Sequence, residues 1–159
     1  DCILEKRAAA AAGINEKIFI NTKGQISEGT VCNVFFVRKN MIYTPQLSCG
    51  LLPGILREYI MERFQVTETI IYPDELMYYE ECFVTNSLMG VMPVRQLGNI
   101  CFPHRAKADE VRKVYEKEKM SLAQMMIEEK EPADKISKYT GYAIDKLKEI
   151  AAAMGQTLV

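Results

Sequence analysis

Tryptophan is missing from this chain of 159 residues, and histidine occurs once, at His104. One imidazole excludes the multi-histidine metal centres. The five cysteines, Cys2, Cys32, Cys49, Cys82 and Cys101, are scattered, odd in number and free of any C-x-x-C pair. Neither a zinc site nor a disulfide framework is expected from them, and reduced, mostly buried thiols are. No apolar run approaches the ~20 residues that cross a bilayer, and the opening Asp1-Cys2-Ile3-Leu4-Glu5-Lys6-Arg7 lacks the basic-then-apolar order of a signal peptide. No membrane partner and a cytoplasmic location are the expectations. Excess charge is missing too: Lys+Arg 20 against Asp+Glu 21 leaves a net charge of −1. Such a balance argues against a surface built for nucleic-acid phosphates.

What remains is the composition of a globular protein, 48% hydrophobic and 26% charged, with chain enough for one ordinary domain. Ile3 to Ala12 are strong helix formers stopped by Gly13. The chain thus opens on Asp1 inside a helical pattern, which suggests a piece of a longer protein. Lys17-Ile18-Phe19-Ile20-Asn21, the turn Thr22-Lys23-Gly24 and Gln25-Ile26-Ser27-Glu28 predict a hairpin. Asn33 to Arg38 and Met41 to Thr44 predict two strands joined at Lys39-Asn40, closed by Pro45 and a loop from Gln46 to Leu52. A helix is expected from near Gly54, with Ile55, Tyr59, Ile60 and Phe64 at helical spacing. Val66 to Ile71, Cys82 to Thr85 and Val91 to Val94 read as strands, with a short helix from Pro73 and a turn at Gly98-Asn99. From Ala106 to Lys130 the apolar residues mark one stripe of a charged helix expected to cover the sheet. Beyond Pro132 come one or two further helices, broken near Thr140-Gly141. The fold class is therefore α/β, with residues 131–159 as a helical extension.

Three stretches place polar groups at strand ends or at a helix start, where a ligand can reach them: Ser27-Glu28-Gly29-Thr30, Leu52-Pro53-Gly54-Ile55-Leu56-Arg57 and Thr85-Asn86-Ser87-Leu88-Met89-Gly90. Each alone has an ordinary reading. Glu beside Gly is usually a solvated turn residue, Pro-Gly is punctuation before a helix, and Asn-Ser before Gly is a loop bonding its own backbone.

In this order, and together with Ala8 to Gly13, Gly24 to Val37, Tyr43-Thr44-Pro45 and Val91-Met92-Pro93-Val94, they resemble the C-terminal half of the fold type IV pyridoxal-phosphate enzymes. That family holds branched-chain and D-amino acid aminotransferases and 4-amino-4-deoxychorismate lyase. The resemblance implies a mixed, twisted sheet or pseudo-barrel with packed helices over residues 1–130, and pyridoxal 5'-phosphate as cofactor. It implies Glu28 against the ring nitrogen, where a carboxylate keeps the ring protonated and electron-poor. It implies the helix start Gly54-Ile55-Leu56 on the phosphate, with Asn86 and Ser87 beside it. Many relatives carry Thr where Leu56 stands, so only a backbone amide is left there, and the Ser87 hydroxyl restores part of the binding. Arg57, tempting as a phosphate clamp, is expected in a structural ion pair.

The family's cofactor-bonding lysine lies upstream of the first helix, so Lys6 is misplaced for that role and no catalytic residue is assigned in this chain. Alone, the chain is expected neither to bond the cofactor covalently nor to turn over. An N-terminal domain, a homodimer partner and a small-molecule substrate are the partners implied. The stretch Asn86 to Val94 looks like the lyase version of its loop, favouring 4-amino-4-deoxychorismate lyase, with pyruvate eliminated and p-aminobenzoate released. The alternative is a class IV aminotransferase acting on branched-chain or D-amino acids. A reading of another class is a non-catalytic module whose tail, Lys135 to Lys148, forms a helical hairpin; its lysines read as a solvated face, since Glu128, Glu129 and Glu131 adjoin them.

Overall fold

The computed structural model of the protein describes residues 2–159, the side chains of Cys2, Ile3 and Lys6 excepted, so the Lys6 side chain lies outside the described residues. Helix α1 (Cys2–Ala11) gives way at Gly13, whose φ of 71° suits glycine. Strands β1 (Ile18–Ile20) and β2 (Ile26–Gly29) form the expected antiparallel hairpin. β3 (Asn33–Arg38) and β4 (Met41–Pro45) are joined by Lys39 and Asn40, both at positive φ. A tight two-residue turn of that hand matches the strands' twist.

A 3-10 turn at Leu47–Cys49, read from sequence as plain loop, leads to α2 (Ile55–Arg63) and β5 (Val66–Thr69). A second 3-10 segment, Pro73–Tyr78, precedes β6 (Glu81–Asn86), β7 (Gly90–Val94) and the small hairpin of β8 (Gln96–Leu97) and β9 (Ile100–Cys101). The main sheet has the order β5-β4-β3-β6-β7. It is mixed: β4 and β5 run parallel across the α2 crossover, while the other neighbours are antiparallel. This is the α/β class with a mixed sheet and packed helices.

β3 and β6 are buried along nearly their whole length, so both read as continuous apolar runs rather than alternating ones. On one face Val34, Phe36, Cys82 and Val84 join Ile26, Ile71, Leu76 and Phe102 in a core cluster. On the other, Phe35 and Phe83 are register partners whose rings stack 4.9 Å apart. In α2 the buried residues are Leu56, Arg57 and Ile60, whereas Ile55, expected on the apolar face, is 79% exposed. Arg57 is as expected structural: Nη2 donates to the Pro45 carbonyl at 3.1 Å and meets Glu68 Oε1 at 2.5 Å, tying α2 to the β4–β5 edge.

Two compact units, Asp1–Arg112 and Lys113–Val159, divide within α3 (Ala106–Glu128), earlier than the boundary read at residue 131. In the first unit, Glu81 at the start of β6 anchors the beginning of α3. Its carboxylate accepts the Lys107 N–H on both oxygens at 3.0 Å and the Ala108 N–H at 3.1 Å. A carboxylate there satisfies orphan amides and opposes the positive end of the helix dipole. Sequence reading gave Glu81 no such role, because its partners lie some 26 positions away.

The second unit contains the rest of α3, α4 (Ala133–Thr140) and α5 (Ile144–Ala153), with Gly141 at φ 70° between the last two. Ala123, Met126, Ile127, Ile136, Leu147, Ile150 and Ala151 form its core. Lys135, Lys146 and Lys148 each pair with an acidic neighbour, Glu131, Glu149 and Asp145, as on a solvated face. No described helix is long and apolar enough to cross a membrane, and no metal-type cluster of His, Cys, Asp and Glu occurs among the described residues.

Candidate functional site

The three polar stretches converge. Glu28 and the following turn, the start of α2, and the turn after β6 line one hollow of about 340 Å3. All six expected site residues, Glu28, Gly54, Ile55, Leu56, Asn86 and Ser87, belong to its wall. The register explains why: Asn33 of β3 pairs with Thr85 of β6 at one end of the sheet, on the face bearing Phe35 and Phe83. Strand ends, where the ladder stops, are where polar side chains become available to a ligand.

Glu28 is half-buried, and its Oε2 accepts the Leu52 N–H at 3.0 Å. The other carboxylate oxygen has no partner among the described residues. Leu56 has its side chain in the core, so only its backbone is offered. α2 begins without a side-chain cap, because its N-cap is Gly54. Its first-turn N–H groups therefore keep their hydrogen-bonding capacity and the positive end of the dipole for an anion.

Asn86 lines the hollow and its side chain is engaged within the protein. Its Nδ2 donates to the Val31 carbonyl at 3.0 Å, while Oδ1 accepts the Leu88 and Met89 N–H groups at 3.0 and 2.7 Å. The side chain clamps two walls together, which leaves the exposed Ser87 hydroxyl as the turn's free polar group.

Two wall residues had received no role. Asn33, buried, donates from Nδ2 to the Leu52 carbonyl at 2.9 Å and so holds the segment entering α2. Thr85 is 1% exposed, and its Oγ1 is buried without a hydrogen-bond partner among the described residues. Buried hydroxyls are nearly always satisfied, so this one calls for a partner oxygen, from a water or from a ligand in the hollow. The signal for both was in view: a polar residue opening or ending an otherwise apolar strand run. The turn between β2 and β3 is braced by Glu16, whose Oε1 accepts the Thr30 N–H at 3.1 Å and the Thr30 hydroxyl.

The donor set suits a phosphate ester on a planar heterocycle. The orphan Thr85 hydroxyl, the uncapped α2 start and Glu28, with one carboxylate oxygen unpartnered among the described residues, all belong to one hollow. Gly54 has no Cβ where one would strike Asn33 Oδ1.

Residues 1–97 match the family model described as Amino-transferase class IV. The chain belongs to the class IV aminotransferase family. Class IV aminotransferases depend on pyridoxal phosphate, and the branched-chain amino acid aminotransferase of Thermobaculum terrenum, solved in its PLP form, is a structural neighbour. It aligns with a TM-score of 0.65 and 25% identity over 70% of this chain and 39% of that one. Among relatives by sequence, the branched-chain-amino-acid aminotransferase 6 of Arabidopsis thaliana is 37% identical over 54% of this chain and 26% of its own length. The aminodeoxychorismate lyase of Bacillus subtilis is 32% identical over 54% of this chain and 31% of its own. This class IV chain thus spans about a quarter to a third of the length of these curated relatives. The family match ends before α3, so the helical unit that follows lies outside it.

Proposed function

We propose that this chain forms the cofactor floor of a pyridoxal-phosphate enzyme whose reaction is the elimination of pyruvate from 4-amino-4-deoxychorismate. The observation that carries the cofactor reading is the hollow itself: Glu28, the bare start of α2 and the unpartnered Thr85 hydroxyl share one wall. Pyridoxal phosphate, when bound, supplies an electron sink for the carbanion formed at the substrate carbon.

The chain's own residues do the holding. The Ile55 and Leu56 amides, the Thr85 hydroxyl and the Ser87 hydroxyl would grip the phosphate. Glu28 would hold a proton on the ring nitrogen, its orientation set by the Leu52 N–H. Asn86 keeps the Ser87 turn against Val31. Exposed Val31, Leu52 and Ile55 give the rim an apolar character that limits water access. Among the described residues no lysine lines this hollow, so the covalent partner of the cofactor would come from outside these walls.

The turn Asn86-Ser87-Leu88-Met89-Gly90 favours the lyase over an aminotransferase, because it resembles the lyase form of this loop. Amino transfer is the second reading, favoured by the branched-chain relatives. A full-length protein containing this chain is expected to release p-aminobenzoate from 4-amino-4-deoxychorismate. Transfer of an amino group to 2-oxoglutarate, without p-aminobenzoate release, would replace the first reading with the second.

The floor is testable on the chain itself with pyridoxamine 5'-phosphate, which needs no covalent bond to bind. Thr85→Val is expected to weaken its binding about tenfold, since one hydrogen bond to a charged group is lost. The same substitution removes a stranded hydroxyl from the protein, so the free chain is expected to melt higher. Unchanged affinity by fluorescence titration would remove Thr85 from the phosphate site.

A further inference from the structure

A second hollow, of about 480 Å3, lies away from the first, where the end of β7, the β8–β9 hairpin and the segment before α3 meet. Among the described residues its wall contains Arg95, His104 and Arg105 and no acidic residue, in a chain whose acids outnumber its bases. The two arginines are not equivalent. Arg105 is neutralised by a two-pronged pair with Asp109, at 2.9 Å from both Nε and Nη2. The side chains of Arg95 and His104 have no hydrogen bond or ion pair among the described residues, and the Arg95 carbonyl accepts the Phe102 N–H at 2.9 Å. The rest of the wall is largely apolar: Pro93, Val94, Phe102 and Pro103. Phe102 is buried and packs into the core beside Phe36, so the floor is fixed by the fold.

We infer that this hollow binds a small monocarboxylate carried on a flat apolar body, the carboxylate on Arg95 and the body against Phe102 and the two prolines. A guanidinium matches a carboxylate with two parallel N–H donors. His104 adds a further donor at the same wall. One unpaired guanidinium balances one negative charge, which favours a monoanion over a phosphate dianion. The volume is within the ordinary range for small-molecule sites, and mixed apolar walls with a few polar groups are their usual composition. The inference is independent of the cofactor reading, since the two hollows share no residue.

The wall carries its own reporter. Cys101 is exposed and lines the hollow, whereas Cys32, Cys49 and Cys82 are buried. Burial pushes the Cys82 thiol well above its usual value, so it stays protonated and slow to alkylate. Iodoacetamide labelling of the full chain, followed by peptide mass spectrometry, reads the Cys101 rate. Benzoate is expected to slow that rate at least fivefold at saturation. Acetate, with charge but no body, and benzyl alcohol, with body but no carboxylate, are expected to leave it unchanged at the same concentrations and ionic strength. Arg95→Gln, at an exposed position whose side chain has no partner among the described residues, is expected to keep the circular dichroism spectrum and shift half-protection to at least tenfold more benzoate. A Cys101 rate insensitive to benzoate, equal protection by either control, or full protection in the Arg95→Gln chain would each overturn the inference.

Discussion

Glu81→Ala is expected to lower the free energy of unfolding by about 2–3 kcal/mol, the largest loss expected from any single polar group here. The wild-type carboxylate is 6% exposed and accepts the Lys107 and Ala108 amides at the start of α3. Alanine strands both, and the Ala108 amide is buried where water cannot easily replace the lost acceptor. The variant does escape the cost of burying a charge, which keeps the figure below that of breaking a fully buried ion pair. For a unit of roughly a hundred residues this corresponds to a melting shift of about 10 °C or more. Glu81→Gln, which keeps one acceptor oxygen, should fall between. Denaturant unfolding checks the order; a loss below about 0.5 kcal/mol for alanine would mean that the α3 amides find other partners.

Gly54→Ala is the second. Its backbone, at φ −82° and ψ 141°, accepts any residue, so strain in the chain is not the issue. The obstacle is Asn33, whose Oδ1 occupies the space an added Cβ needs. Asn33 is buried and held by its bond to the Leu52 carbonyl, so it cannot swing clear without releasing the segment that enters α2. Overpacking of this kind costs about 1–3 kcal/mol. Because the displaced segment carries Leu52, which orients Glu28, and leads into the α2 amides, pyridoxamine 5'-phosphate affinity is expected to fall by at least thirtyfold. Asn33→Ala in the same chain should restore part of the stability and define the coupling through a double-mutant cycle. Additive losses, with no recovery in the double variant, would show that the two side chains do not collide.

Much of the first unit was legible from residues alone, because the deciding signals are local. The Lys39-Asn40 turn, the stop at Gly13, and the runs Asn33 to Arg38 and Cys82 to Thr85 depend on neighbours within a few positions. So does the bare start of α2, which follows from Gly54 preceding a helical run. The exposure of Ile55 was not legible: helical spacing says which residues share a face, but not which face the sheet will cover. The bond from Asn86 to Val31 was not legible for a related reason, since Val31 lies 55 positions earlier and meets Asn86 only after β3 and β6 have paired.

The sequence by itself determined the order of strands and helices, the turns between them and the three polar stretches of the site, since each rests on propensity, capping or chirality at a few adjacent residues. Only the tertiary structure decided that those stretches share a wall, that β4 and β5 run parallel, that the chain divides inside α3, and that the Thr85 hydroxyl is left unpartnered. Each of these depends on which segments meet after burial, and contacts between distant positions leave no local trace in the chain.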